Sequence, residues 1–181
     1  INQVQAMKRM VDDFRDYARL PAPELAPLDL NELIGEVLGL YETSTATIHT
    51  DLGEGLPPVL GDATQLRQVI HNLLRNGEDA LEGLEAAEIR ITTEREGRWL
   101  RLVIADNGPG FPVDLLPRIF EPYVTTKARG TGLGLPIVKK IVDEHLGRIE
   151  ISNAPEGGAR IDIHLPLVKE EETHNGDHSG R

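Results

Sequence analysis

The most informative absences in this 181-residue chain are of cysteine, of aromatic side chains and of long apolar runs. Without cysteine, the chain forms no disulfide, uses no thiol in catalysis and binds no metal through thiolates. Its aromatic residues are three Phe, three Tyr and one Trp, so we expect a core of aliphatic side chains. No apolar run approaches the ~18 residues that suggest a membrane-spanning helix, and no signal peptide is evident.

Basic residues are also scarce: Lys and Arg number 19 against 30 Asp and Glu, for a net charge of −11. Nucleic-acid-binding domains carry a basic face, so we expect no nucleic-acid partner. The length suffices for one domain with a sizeable core plus an appendage. Residues 169–181 are charged and polar, and we predict a disordered acidic tail there.

Two glycine-rich turns stand out in what the chain does have. The first, Asp-Asn-Gly-Pro-Gly at 106–110, follows an apolar run and places Asp106 at a strand end, where its carboxylate can accept from an exocyclic amine such as that of adenine. The second, Gly-Thr-Gly-Leu-Gly at 130–134, leads into a helix-periodic segment, and such helix N-termini favour phosphate. Either turn by itself is weak evidence for a nucleotide.

A third pattern lies upstream, where residues 62–81 predict one amphipathic helix. Asn72 and Asn76 are four residues apart and therefore share a face of this helix. Asparagine is a poor helix former, so two on a largely apolar face need a reason. The pair is either a solvated edge or a set of amide oxygens for a hard cation such as Mg²⁺, which keeps substrate phosphates in its coordination shell.

Together these patterns resemble the nucleotide-binding boxes of sensor histidine kinases. The resembling segments are 72–76 for the N box, 106–110 for G1, 119–123 for the F box and 130–134 for G2. The resemblance covers about residues 29–168 and is greatest to nitrogen-regulation kinases of the NtrY/NtrB type, whose F box also runs on into Thr-Thr-Lys. Gly77 stands where the family usually has alanine, and Val124 where phenylalanine is common; neither removes a group that the chemistry needs.

The resemblance implies the Bergerat ATP-binding fold, an α+β, two-layer sandwich with a mixed sheet of about five strands and helices on one face. It implies ATP and Mg²⁺ as cofactors. Asn76 would be catalytic as the Mg²⁺ ligand with Asn72 beside it, and Asp106 would bind adenine. Lys127 would pair with the terminal phosphate, although a solvated lysine is about equally expected. The other implied ATP-binding residues are Gly108, Gly110, Gly130, Thr131, Gly132, Leu133, Gly134 and Leu135.

The chain around these boxes divides into further predicted parts. Residues 1–20 predict a helix with an apolar stripe typical of a coiled-coil seam, formed by Val4, Met7, Val11, Phe14 and Ala18. A terminal helix packed on its own domain is the alternative. The family counterpart is the second helix of the dimerisation and phosphotransfer hairpin, which implies a homodimer. Prolines in 21–28 predict an extended linker, 29–168 form the catalytic ATP-binding domain, and 111–130 within it a mobile lid.

Local signals predict where elements begin and end. Asp29 and Asp62 precede helix-periodic segments and predict N-caps. Two antiparallel hairpins should turn at 96–97 and 156–158, and Gly147 should take the C′ position after a helix that ends near His145.

None of the six histidines has the following acidic residue and proline of the family's phosphoacceptor, so we expect the acceptor helix upstream of Ile1. We therefore predict the catalytic domain of a two-component histidine kinase, which transfers the ATP γ-phosphoryl to a histidine and then to an aspartate of a response-regulator receiver domain, in nitrogen-related signalling. We expect a cytoplasmic location, with membrane contact only through segments upstream, as in the cytosolic portion of an inner-membrane kinase.

Two other functions remain open at this point. One is an ATPase or an anti-sigma serine kinase of the same fold, although such kinases place a glutamate base where this chain has Asn72. The other is a non-catalytic nucleotide-sensing or dimerisation module.

Overall fold

The computed structural model describes residues 2–125 and 132–170, which form helices packed on one mixed sheet. The helices are α1 (Asn2–Ala18), α2 (Leu30–Leu38), α3 (Ala63–Ala80) and α4 (Gly134–Glu144), with 3-10 turns at Gly39–Tyr41 and Leu116–Arg118. The strands are β1 (Ala26–Leu28), β2 (Thr47–Leu52), β3 (Val59–Gly61), β4 (Glu88–Glu96), β5 (Trp99–Asp106), β6 (Arg148–Asn153) and β7 (Ala159–Pro166). Within the described part of the chain, no helix has the length and apolar character needed to cross a bilayer.

The main sheet has five strands in the order β2-β4-β5-β7-β6. β2 runs parallel to β4, and every other neighbouring pair is antiparallel. The hairpin from β4 to β5 turns at Gly97, whose φ of +63° favours a residue without a Cβ atom. The predicted α+β class, the mixed sheet and both hairpins are thus confirmed.

A second, two-stranded sheet pairs β1 with β3, and the sequence did not predict it. Each strand has three residues, which is too short for hydrophobic alternation to be recognised. β1 lies inside the segment predicted as a linker, so part of 21–28 pairs with the residues just before α3.

The core lies between the sheet and the helices α2, α3 and α4. The inward side chains of β4, Ile89 and Ile91, are fully buried, and so are Leu73 and Leu74 of α3. Among the described residues, the buried hydrophobic set contains one aromatic side chain, that of Tyr41. The expected aliphatic core is confirmed.

α1 contacts the domain through polar groups and the partly buried Tyr17, while its apolar stripe is exposed. The amide of Gln68 donates to Asp16 at 3.0 Å, and the ammonium of Lys140 donates to the Tyr17 carbonyl at 3.1 Å. On the stripe, Met7 is 67% exposed and Phe14 is 53% exposed. The helix therefore does pack on its own domain, but not through the predicted seam.

The prediction that Gly147 takes the left-handed position after α4 is wrong. Leu146 has the positive φ, +58°, and its N–H donates to the Asp143 carbonyl at 3.0 Å. The N–H of Gly147 donates to the Val142 carbonyl at 2.9 Å, which completes a Schellman motif one residue earlier than expected. Gly147 is small for another reason: a Cβ there would lie 2.5 Å from the His164 carbonyl of β7.

Candidate functional site

Asn76 on α3 lies against the beginning of α4. α3 starts at its predicted N-cap Asp62, whose carboxylate accepts from the Gln65 N–H at 3.1 Å, and its apolar side enters the core. A Cβ placed on Gly134 would be 3.9 Å from Asn76 Oδ1 and 4.0 Å from Nδ2. The N box and the G2 box, predicted from separate stretches of sequence, therefore meet here.

The start of α4 presents backbone N–H groups to this side of the molecule. The N-cap residue is Leu133, which has no polar side-chain atom with which to cap the first turn. Leu133 is fully buried and Leu135 packs on the core, so both anchor the helix end. Because a helix N-terminus carries partial positive charge, the arrangement is suited to phosphate.

Asp106 stands at the end of β5 with its carboxylate oriented by two backbone donors. Its Oδ1 accepts from the Gly108 N–H at 2.9 Å and from the Ala159 N–H at 3.2 Å. A Cβ on Gly108 would lie 3.3 Å from the Ala80 carbonyl, so the turn packs on the C-terminal end of α3. The other oxygen, Oδ2, has acceptor capacity for a ligand donor.

Two asparagines hold the 106–110 turn, and the sequence analysis assigned neither. Asn107 Oδ1 accepts from the Glu88 N–H at 2.8 Å, and its Nδ2 donates to the Ala86 carbonyl at 2.6 Å. Asn153 Oδ1 accepts from the Phe111 N–H at 2.7 Å, and its Nδ2 donates to the Phe111 carbonyl at 2.8 Å. Asn107 lies within the recognised box, whereas no local signal connects Asn153 to a residue 42 positions earlier.

The segment after this turn returns to α4 at two described points. Phe120 of the F box packs against the core, and the Lys139 ammonium lies 5.9 Å from the centre of its ring. The Tyr123 N–H donates to the Gly132 carbonyl at 2.9 Å. Gly132 has φ +71°, and a Cβ there would overlap the backbone of Tyr123, so the close approach requires glycine.

Asn72 has different surroundings from Asn76, although both lie on α3. It is buried and lines a groove of about 590 Å³ between α1 and α3. Arg75, which lines the same groove, lies 4.0 Å from the carboxylate of Asp13 on α1. The predicted site residues Lys127, Gly130 and Thr131, with part of the predicted lid at 111–130, lie outside the described residues.

Two histidines of the domain have structural partners. His145 is buried; its Nε2 accepts from the Asp62 N–H at 3.0 Å and its Nδ1 donates to the Ile141 carbonyl at 2.8 Å. His71 Nδ1 lies 2.7 Å from the Tyr41 hydroxyl. Burial, followed by the nearby Arg75 charge, lowers the pKa of His71, and burial, followed by Glu78, raises the pKa of Tyr41 to about 12.

Comparison with known proteins connects this geometry to one family. Residues 61–169 match the family described as histidine kinase-, DNA gyrase B- and HSP90-like ATPases. A Rickettsia felis protein named as an NtrY-like sensor histidine kinase is 36% identical over 171 residues, 93% of this chain and 28% of that protein. The nitrogen regulation protein NtrY of Azorhizobium caulinodans is 38% identical over 174 residues, which is 91% of this chain and 22% of that protein. The chain thus spans about a quarter of the length of these relatives.

Solved structures show the same similarity. The nucleotide-free catalytic domain of the histidine kinase ThkA is 35% identical with a TM-score of 0.72, covering 80% of this chain and 96% of that one. Full-length ShkA in complex with AMPPNP is 29% identical with a TM-score of 0.78, covering 90% and 36%. ThkA in complex with the response regulator protein TrrA is 29% identical with a TM-score of 0.76, covering 92% and 49%.

Proposed function

The chain belongs to the family of histidine kinase-, DNA gyrase B- and HSP90-like ATPases, and we propose that it is the ATP-binding catalytic domain of an NtrY/NtrB-type sensor histidine kinase. In the whole protein, the γ-phosphoryl of ATP would pass to a histidine and then to a response-regulator aspartate, in nitrogen-related signalling. The observation that carries this proposal is the meeting of Asn76 with Gly134 at the N-terminus of α4.

The proposed roles follow from the positions of the side chains. Asp106 accepts a hydrogen bond from the exocyclic amine of adenine, since its carboxylate is already oriented by Gly108 and Ala159. The N–H groups at the start of α4 bind the phosphates, and Gly134 leaves room for them. ATP supplies the phosphoryl group, while these residues bind and orient it. The roles of Lys127, Gly130 and Thr131 rest on the resemblance alone.

Mg²⁺ is the proposed metal, with Asn76 as its protein ligand. Mg²⁺ prefers oxygen ligands and is held by few protein groups together with substrate phosphates. The Asn76 amide fits this use because it faces the helix end at which phosphates would bind. Asn72, which lines the groove toward α1, is proposed to support the metal or a phosphate from the next turn of α3.

The proposed partners are a response-regulator receiver domain and a second copy of the chain. The similarity to ThkA, whose structure holds the response regulator protein TrrA, supports the first. The exposed stripe of α1 supports a dimer formed through helical hairpins. A cytoplasmic location follows from the proposed substrates, because ATP and receiver domains are found there.

Calorimetric titration with ADP, with and without Mg²⁺, tests the nucleotide site. Asp106→Asn should weaken binding by about 10- to 100-fold, because an amide replaces a charged acceptor opposite a donor. Asn76→Ala should remove the response to Mg²⁺. Asp143→Asn is the matched control, since this exposed carboxylate pairs with Lys139 at the other end of α4. Unchanged affinity and an unchanged Mg²⁺ response in both site variants would refute the assignment.

Phosphotransfer needs a separate test with the acceptor restored. The chain joined to the first hairpin helix of a relative should acquire acid-labile phosphate from labelled ATP, and Asn76→Ala should abolish the labelling. Nucleotide binding without any labelling of the restored acceptor would favour a nucleotide-sensing module instead.

A further inference from the structure

Asn153, at the end of β6, makes both of its amide hydrogen bonds to one backbone unit. Its Oδ1 accepts from the Phe111 N–H at 2.7 Å, and its Nδ2 donates to the Phe111 carbonyl at 2.8 Å. A donor and an acceptor on the same residue fix the orientation of the amide and copy the pairing of one strand residue with another. Asn153 therefore holds the chain directly after the 106–110 turn.

Gly110, inside that turn, is packed against the same amide. Its φ is +76°, and a Cβ there would lie 2.7 Å from Asn153 Oδ1 and 3.4 Å from the Gly158 carbonyl. Both contacts belong to the β6–β7 hairpin, so the turn packs closely against one end of that hairpin. This close approach of the backbone at residue 110 requires glycine, because any other side chain would clash with Asn153.

The same rung of the sheet also holds the carboxylate of Asp106. Asn153 pairs with Ala159 in the register of β6 and β7, and the Ala159 N–H donates to Asp106 Oδ1 at 3.2 Å. One end of the hairpin therefore contacts both ends of the turn: Asp106 through Ala159, and Phe111 through Asn153. The distance between the carboxylate and the chain that leaves the turn is set by this rung.

We propose that Asn153 is a positioning residue of the nucleotide site, which keeps the 106–111 turn in the shape that receives the base of the nucleotide. The inference rests on the proposed function and adds to it a residue outside the four recognised boxes. Its action is indirect, because its amide is engaged by the Phe111 backbone. Without the Asn153 amide, the turn adopts other conformations as well. The apparent affinity for the nucleotide then falls in proportion to the fraction of molecules whose turn can still bind the base.

The test compares ADP binding in Asn153→Ala, Asn153→Asp and the exposed neighbour Ser152→Ala, each with and without Mg²⁺. Asn153→Ala should weaken ADP binding about tenfold, since two hydrogen bonds that favour the competent turn are lost. The loss should be the same with and without Mg²⁺, because the base end and not the phosphate end is affected. Asn153→Asp keeps the acceptor for the Phe111 N–H, so its affinity for ADP should fall only about threefold. Ser152→Ala should bind as the parent chain does.

Amide hydrogen exchange of the nucleotide-free variants separates positioning from general destabilisation. Exchange should rise in Asn153→Ala at the amides of Gly108, Gly110 and Phe111 and stay unchanged in α4. Faster exchange throughout the sheet, or a loss of affinity that depends on Mg²⁺, would overturn the proposal. Parent-like affinity in Asn153→Ala would also overturn it if Asp106→Asn weakens binding as expected, and that result would leave the proposed function standing. Absence of ADP binding by the parent chain would refute the proposed function itself.

Discussion

Two helices of nearly equal length, α1 with 17 residues and α3 with 18, use their apolar faces in opposite ways. α3 places its leucines and isoleucine in the core, where Leu74 is 0% exposed. None of the described side chains of α1 is buried, and its stripe of Val4, Met7, Val11 and Phe14 faces outward. Both sequences are amphipathic. Amphipathicity therefore indicates that a helix has an apolar face to bury, but it does not indicate which part of the molecule buries that face.

The difference follows from the rest of the chain. α3 is preceded by β3 and followed closely by β4, so short connections bring its apolar face onto the sheet. α1 is separated from the domain by 21–25 and meets it through Gln68, Arg75 and Lys140. The apolar face of α1 is thus left exposed within the chain.

The largest expected contrast is in the free energy of unfolding. Leu74→Ala in α3 should lower it by about 2–5 kcal/mol, because a fully buried side chain is removed and a cavity remains. Met7→Ala in α1 should change it by no more than about 0.5 kcal/mol. Urea unfolding at low protein concentration measures both. A loss in Met7→Ala comparable with that in Leu74→Ala would mean that the stripe is covered within one chain.

Self-association should depend on α1 and not on α3. Phe14→Asp should raise the dissociation constant of the proposed dimer at least about tenfold, since burial of a Phe side chain contributes about 1.5–3 kcal/mol. Gln5→Asp introduces the same charge on the side of α1 that lines the groove and should have little effect. Sedimentation velocity at high protein concentration gives the measurement. Identical profiles for the parent chain and Phe14→Asp would exclude the stripe as a dimer contact.

A smaller effect concerns Gly77, which is a buried glycine near the C-terminal end of α3. A Cβ at this position would lie 3.0 Å from Ile89 Cδ1, so the gain of about 1 kcal/mol in helix propensity on Gly77→Ala is offset by crowding. Ile89→Val removes that methyl group. The change in the free energy of unfolding caused by Gly77→Ala should therefore be more favourable by about 0.5–1 kcal/mol in the Ile89→Val variant than in the parent chain.

The control for Gly77 is Ala6 of α1, a helix in which none of the described side chains is buried. Ala6→Gly should lower the free energy of unfolding by ~1 kcal/mol at most, which is the difference in helix propensity between alanine and glycine. Additivity of Gly77→Ala and Ile89→Val in chemical denaturation would show that Ile89 does not limit this position.

The smallest expected effect is on the pH dependence of stability, and it belongs to α3. Burial and the Arg75 charge lower the pKa of His71 below the unfolded value of about 6.5. The unfolded chain then binds more protons than the folded chain, so stability should fall as the pH drops below about 6.5. His71→Gln should flatten this part of the profile in thermal unfolding between about pH 7.5 and 5.5. A profile with the same slope in His71→Gln would assign the dependence to other groups.

Much of the fold was predictable because its signals are local. Asp29 and Asp62 cap α2 and α3 by accepting from N–H groups three residues later, at 3.1 Å in each case. The hairpins were recognisable from alternation on either side of a glycine-containing turn. β1 and β3 were missed because strands of three residues form only where a partner is supplied by the rest of the fold.

In the candidate site too, local patterns were predictable and contacts between distant segments were not. Asp106, Gly108 and Asn76 were predicted from residue types at fixed spacing, and the structure places Asp106 beside the Gly108 N–H and Asn76 beside Gly134. Asn153 was not found, because its contact with Phe111 links the ends of two different strands and their loops. Leu146 has the left-handed φ that was predicted for Gly147, and Gly147 lies where the His164 carbonyl of β7 leaves no room for a Cβ.

The sequence by itself determined the amphipathic faces, the caps, the turns and the residues of each box, since each depends on residues within about four positions of one another. The tertiary structure decided which apolar faces are covered, which asparagine of α3 meets α4 and which side chain holds the turn after Asp106. These outcomes depend on contacts between distant segments that compete for the same space. Asn72 and Asn76 share a helix face in the sequence, yet only the packing of α1 and α4 on α3 gives them different neighbours.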